Sequence, residues 1–255
     1  MKCFSYRAGV FARPFFLILA LAFAGARPVA AQRLFHVDVQ TKTVNKGKMR
    51  AADKGIWYTR GGNLNIEWRN GAHTYYYVST PYGFTDVYYP SSKEVTTLDR
   101  QMFNPSDELL WLFAEGGIED MGLAREGFVL KSSTKDGDYT VRRYEPRKSG
   151  GMCTRVDVAF DSDYLPVYCA YFDKKGRILT KTYLSDYTSV KGFAFPMRVT
   201  EISYLLEKND STVRLDLYRG LEIDEPADMF GFRVPSDAKR VDMKEGLKAA
   251  KKNLK

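Results

Sequence analysis

The sequence predicts a mainly β (α+β) protein: a single curled antiparallel sheet forming an incomplete β-barrel, with a helical lid over a hydrophobic cavity. Three observations predict it. About a dozen segments alternate apolar and polar residues with a period of two, as half-buried strands do. The connections between them are of hairpin length, and no shift of composition divides the chain. One stretch in the body of the chain reads as a convincing helix, Asn104 to Gly117, and its five central residues, Leu109, Leu110, Trp111, Leu112 and Phe113, are apolar on every side. A long antiparallel sheet curls rather than staying flat, and a curled sheet too open for its own side chains to fill leaves a cleft.

The chain of 255 residues begins with a segment that we set apart from the fold. Lys2, Arg7 and Arg13 form a basic leader, Phe15 to Ala24 is an unbroken apolar run, and Val29-Ala30-Ala31 supplies small residues before Gln32. This pattern predicts a cleaved signal peptide over 1–31, too short in its apolar run for the roughly 20 residues that span a bilayer. Its removal takes the net charge from +8 to +4, because it holds Lys2, Arg7, Arg13 and Arg27 and no acid. Export to the periplasm, soluble and without a lipid anchor, is the expectation. So mild a basic balance on an exported chain gives no reason to expect a nucleic-acid partner.

From Arg33 the strands follow in order. Phe35, Val37 and Val39 alternate with His36, Asp38 and Gln40, and a turn falls at Asn45-Lys46-Gly47-Lys48. Ile56 to Thr59 leads into the turn Arg60-Gly61-Gly62-Asn63, and Leu64 to Trp68 ends at Asn70-Gly71, a strong hairpin signal. His73–Thr80, Thr85–Tyr89 and Glu94–Leu98 complete the first half. The helix comes next, over 105–115: Asn104 suits the N-cap, Pro105 the first turn, Asp107 and Glu108 the positive end of the dipole, and Gly116 a left-handed stop. Ile118–Arg125 reads as a second short helical turn. The meander then resumes through Phe128–Ser132, Asp138–Tyr144, Cys153–Phe160, Leu165–Phe172, Arg177–Tyr187, Phe193–Leu206 and Ser211–Ile223. The folded domain is placed at 32–243, and 244–255 is a basic, solvated tail.

No catalytic constellation stands out. His36 and His73 each lie alone on a strand, no metal-ligand spacing or phosphate loop occurs, and the carboxylates are scattered among turns. The reading is therefore not an enzyme, with no cofactor and no metal. An outer-membrane barrel fits poorly with a long apolar helix in mid-chain and a lysine-rich end. Two cysteines follow residue 31, Cys153 and Cys169, on neighbouring strands of one hairpin and roughly equidistant from its turn. We expect a disulfide between them, with a bulge at Pro166 correcting their offset; two free buried thiols are the alternative.

Four segments carry a resemblance. Ile56-Trp57-Tyr58-Thr59-Arg60 with Asn63-Leu64-Asn65-Ile66-Glu67-Trp68, then Val87-Tyr88-Tyr89-Pro90, Asp163-Tyr164-Leu165-Pro166, and Phe230-Gly231-Phe232-Arg233-Val234-Pro235 resemble, in this order, the periplasmic carriers that ferry lipoproteins to the outer membrane, the Lol-type chaperones. The match departs where Gly61 replaces a proline, where residues 33–44 alternate like a strand instead of forming a helix, and in the lysine tail. The resemblance implies a monomeric chaperone that binds the acyl chains of lipoproteins, receives them from an inner-membrane releasing complex and passes them to an outer-membrane acceptor. It also implies that Arg60 latches the lid. Leu109, Leu110, Trp111, Leu112, Phe113, Trp57, Ile66 and Trp68 are then the expected wall and lid of the cleft. A carrier of another envelope lipid, or an envelope sensor of lipid or lipoprotein on the same fold, is the alternative.

Overall fold

A computed structural model describes residues 32–81, 83–148, 150–207 and 210–242. All lie in the compact unit Gln32–Lys255. The expected signal peptide and the lysine tail lie outside the described residues.

The described strands are β1 (Leu34–Asn45), β2 (Lys48–Thr59), β3 (Leu64–Asn70), β4 (His73–Ser79), β5 (Thr85–Tyr89) and β6 (Glu94–Leu98), followed by β7 (Phe128–Asp136), β8 (Tyr139–Pro146), β9 (Arg155–Phe160), β10 (Pro166–Phe172), β11 (Ile178–Val190), β12 (Phe193–Leu205), β13 (Asp210–Ile223) and β14 (Lys239–Arg240). Together they form one 14-stranded sheet in the order β14-β6-β5-β4-β3-β2-β1-β13-β12-β11-β10-β9-β8-β7. Every pairing is antiparallel except β14 with β6, which is parallel. The chain starts in the middle of the sheet and steps outward to β6. It then reappears at the opposite edge as β7 and steps back until β13 closes on β1. The segment 99–127 must therefore travel from one edge of the sheet to the other. This open, curled sheet is the predicted incomplete barrel, and its topology forces a connection across one face.

That connection differs from the predicted helix. Pro105–Asp107 form a single 3-10 turn, with Asn104 Oδ1 accepting the Ser106 N–H. The backbone is extended at Glu108 (φ −76°, ψ 123°), and the α-helix α1 covers only Leu109–Ala114. The expected 105–115 helix is thus broken in two at Glu108, whose carboxylate caps neither piece. The C-terminal stop is as the sequence implies. Gly116 has φ +76°, the Gly117 N–H donates to Leu112 O at 2.8 Å and the Gly116 N–H to Phe113 O at 3.1 Å, a Schellman closure. A Cβ on Gly117 would meet the Leu112 and Arg125 side chains, so the tight return of the chain favours glycine there. The second helical turn does not form. Met121 (φ +53°) and Gly122 (φ +78°) leave helical space, and the Asp120 carboxylate accepts the N–H groups of Gly122 and Ala124, each at 2.9 Å.

The main core lies between the face of the sheet that carries Phe35, Val37, Val39, Ile56, Leu64, Ile66, Phe195 and Ile223 and the buried side of α1, Leu110, Phe113 and Ala114. A second core sits toward the β7 edge, where Leu123 of the crossing segment packs on Val156, Val158, Phe160 and Cys169.

Candidate functional site

Strand alternation decides what faces the crossing segment. On β2, Ile56 and Tyr58 pack beneath α1, and on β3 Leu64 and Ile66 stand beside them. Trp68, Tyr77 and Phe103 continue this wall as half-buried aromatics, with Tyr77 and Phe103 5.0 Å apart and Trp68 stacked toward Tyr75. Burial pushes the Tyr77 hydroxyl up to about 12. The face under the segment is thus an apolar and tyrosine-rich surface.

Trp57 is not part of it. It lies between Ile56 and Tyr58 and so points to the opposite side of the sheet, where it stacks on His36 at 4.6 Å. This corrects the expectation that Trp57 lines the cleft. On that outer side Asn65 Nδ2 donates to Met229 O at 2.6 Å, fastening the segment before β14 against the sheet.

The five apolar residues of α1 divide among three surroundings. Leu110 and Phe113 are buried against the sheet, with Phe113 edge-on to Phe195 at 5.4 Å. Leu109 and Trp111 are half-buried at the margins of that core, and the Arg125 guanidinium lies 4.6 Å over the Trp111 ring. Leu112 turns away from the sheet and packs under the returning loop at Gly117 and Gly122. This corrects its expected place facing the cleft, and it explains why the helix is greasy all round: it is clamped between a sheet and its own return loop.

Two polar contacts fix α1 along β2. The Lys54 Nζ donates to both Glu108 oxygens, at 2.6 and 2.8 Å, with the side chains 12% and 13% exposed. The Tyr58 hydroxyl donates to Glu115 Oε1 at 2.6 Å and accepts the Gly61 N–H at 3.0 Å. Lys54 and Tyr58 are four residues apart on one face, about 13 Å along a strand. Glu108 and Glu115 bracket a helix of similar span, about 10 Å over seven residues. The helix is therefore tied at both ends to one strand. Arg60 is exposed, its N–H donates to Arg33 O at 2.9 Å, and among the described residues no side-chain hydrogen bond joins it to the crossing segment. The turn does hold the segment, but through Tyr58 and Gly61 and not through the Arg60 side chain. The signal that could have found Tyr58 was its place on the same face as Ile56 and one turn from Gly61.

A polar end completes the face. Thr41 Oγ1 donates to Asp216 Oδ1 at 2.6 Å, and Arg214 Nε lies 3.0 Å from Asp216 Oδ2. Between the turn at 60–63 and the crossing segment opens a cavity of about 530 Å³ whose walls include Leu64, Trp111, Glu115, Arg100 and Arg125. Desolvation raises the pKa of Glu126, which lines the same cavity, and the nearby Asp107 charge raises it further.

The expected disulfide is absent: Cys153 and Cys169 are free thiols. The bulge between Pro166 and Tyr168 exists, yet Cys169 pairs with Val158 and Cys153 lies beyond the start of β9, so the ladder holds them out of register. Among the described residues, no group of three or more His, Cys, Asp or Glu is placed to hold a metal, and no helix is long and apolar enough to cross a membrane.

No protein-family profile and no curated protein matches the chain. Solved structures do. A LolA superfamily protein from Nitrosomonas europaea superposes with a TM-score of 0.54 at 14% identity, over 79% of this chain and 91% of that one. A DUF1329 family protein from Desulfovibrio piger gives 0.52 at 13% identity, over 80% and 91%. A domain proposed to sort outer-membrane lipoproteins, from Vibrio parahaemolyticus, gives 0.50 at 14% identity, over 77% and 88%. The chain therefore has a LolA-like fold.

Proposed function

We propose that this protein is a periplasmic carrier that shields the acyl chains of lipoproteins beneath a movable lid and delivers them toward the outer membrane. The observation that carries the reading is the fastening of α1. An apolar sheet face is covered by a six-residue helix, and polar side chains tie that helix at both ends to β2. A cover so short forms no stable unit by itself, and lids are drawn from the least stable parts of a structure. An acyl chain that displaces it gains about 0.8 kcal/mol for each CH₂ removed from water, while re-closure of Leu110 and Phe113 on the sheet favours release. The carrier performs no chemistry and works as a monomer with a membrane complex that loads it and an acceptor that unloads it.

The LolA-like fold, shared with a domain proposed to sort lipoproteins, supports this reading over others that a β-sheet protein could serve. Carriage of a different envelope lipid, or sensing of lipid, uses the same face and is favoured where the cargo carries a charged head. Purification from the envelope followed by mass spectrometry of whatever is extracted by organic solvent tests the function. Lipoproteins or lipids in stoichiometric amount support it; a protein that emerges and remains free of acyl chains overturns it.

A further inference from the structure

The Lys54–Glu108 pair is largely shielded from water at the polar end of the apolar face, where an ion pair offers little net stability compared with well-packed hydrophobic residues. Its geometry is specific all the same. Glu108 is the N-cap of α1 yet makes no capping hydrogen bond, and the backbone is extended there so that both carboxylate oxygens reach Lys54 Nζ. Lys54 also lies 5.2 Å over the Trp68 ring. The Trp68 Nε1–H in the same cluster is buried and, among the described residues, has no hydrogen-bond partner. Arg214, the other cation at this end, is already matched by Asp216 and Glu201.

These charges do not move together. Lys54 is on the sheet and Glu108 is on the crossing segment, so lifting the lid separates them. Lys54 would then lose the carboxylate that it is bonded to while still packed over Trp68, a costly state for a largely shielded cation. An anion brought by the ligand would restore the match, and the unused indole N–H offers it a second donor.

We propose that Lys54 and Trp68 form a headgroup site for an acyl chain that ends in an anion, a carboxylate or a phosphate, and that Glu108 occupies this site in the closed state as a built-in competitor. The inference rests on the reading of the protein as an acyl-chain carrier and favours, within it, an anionic envelope lipid over a lipoprotein, whose acyl chains are joined through uncharged esters and an amide. An acid binds by exchanging with Glu108, so the lid carboxylate sets how readily the head is accepted and expelled.

Anthroyloxy-palmitic acid and its methyl ester, titrated by fluorescence, separate head from chain. Wild type should bind the acid about tenfold more tightly than the ester. Lys54→Met should lose the preference and bind both probes alike, and Lys54→Arg should keep it. Glu108→Gln, which removes the competitor and weakens the tie of α1 to β2, should tighten both probes and the acid by the larger factor; this second variant decides the matter if Lys54→Met fails to fold. Displacement by lysophosphatidic acid, palmitate and monoacylglycerol tells a phosphate from a carboxylate source, with the neutral glyceride the weakest. Equal affinity for acid and ester, unaltered in Lys54→Met or in Glu108→Gln, overturns the headgroup site and leaves the carrier standing. Failure of both probes to bind overturns the carrier reading itself, and the headgroup site with it.

Discussion

Tyr58 reaches from the floor of the sheet to Glu115 at the far end of α1, with 2.6 Å between its hydroxyl and the carboxylate, while the same hydroxyl receives the Gly61 N–H from the adjacent turn. One side chain thus joins the strand, the turn and the lid. Tyr58→Phe leaves the carboxylate and the Gly61 amide without their partner, a loss of about 2 kcal/mol. Because the loss falls on the lid, hydrogen exchange should quicken over 109–117 while the amides of β1, β2 and β13 keep their protection. Equal acceleration across the sheet would show that α1 is an inseparable part of the core.

Alkaline pH should destabilise the fold through its tyrosines. Burial, then the Glu115 carboxylate, raises the pKa of Tyr58 well above its ordinary value of 10.0, and burial raises Tyr77 from 10.0 to about 12 and Tyr187 and Tyr218 as well. A raised folded-state pKa contributes stability that is complete below the unfolded pKa and is lost as pH climbs through the folded one. Denaturation midpoints should therefore fall from about pH 10 upward. Tyrosinate absorbance should show this group ionising only with unfolding.

The two cysteines should behave as different thiols. Burial pushes Cys169 up to about 12, whereas Cys153 is half exposed at the margin of the second core. Iodoacetamide should alkylate Cys153 in the folded protein and Cys169 only after denaturation. Peptide mapping that finds the two joined would contradict the register of β9 and β10.

At the β6 edge, Arg240 holds Asp86 through two contacts of 3.0 Å, and Thr97 donates to the same carboxylate at 2.6 Å. Burial by itself would raise Asp86, but Arg240 and Thr97 hold it below the ordinary carboxylate value. Its contribution is present above the unfolded pKa and is lost as pH falls through the lower folded value. Arg240 is largely exposed, so Arg240→Met should cost under about 1 kcal/mol in urea titration at neutral pH, and less still in acid.

Much of this was legible in the sequence because strands advertise their period. Phe35, Val37 and Val39, and Leu64 and Ile66, alternate cleanly, and each set lies on the face under the lid. Trp57 was misplaced although the same rule governs it: its neighbours Ile56 and Tyr58 claim the inner face, and aromatic size outweighed parity. The start of β2 left no signal, since Lys48-Met49-Arg50-Ala51 is an exposed arm with no face to bury. The break at Glu108 was hidden because helix propensity speaks for a local conformation, whereas a partner 54 residues away decides where the carboxylate goes. The cysteine offset was hidden for a related reason. Counting from a turn assumes an unbroken ladder, and Cys153 lies outside it.

The central claim is that acyl chains lie between the inner face of the sheet and α1. Photo-crosslinking with a diazirine-bearing palmitoyl chain, followed by peptide mapping, tests it most directly. The account predicts saturable adducts on the inner wall, at Ile66, Trp68, Tyr77 or Phe195, and on α1, all suppressed by unlabelled palmitate. Labelling that does not saturate, or that falls only on exposed apolar residues of the separate groove lined by Met152 and Leu205, would contradict it.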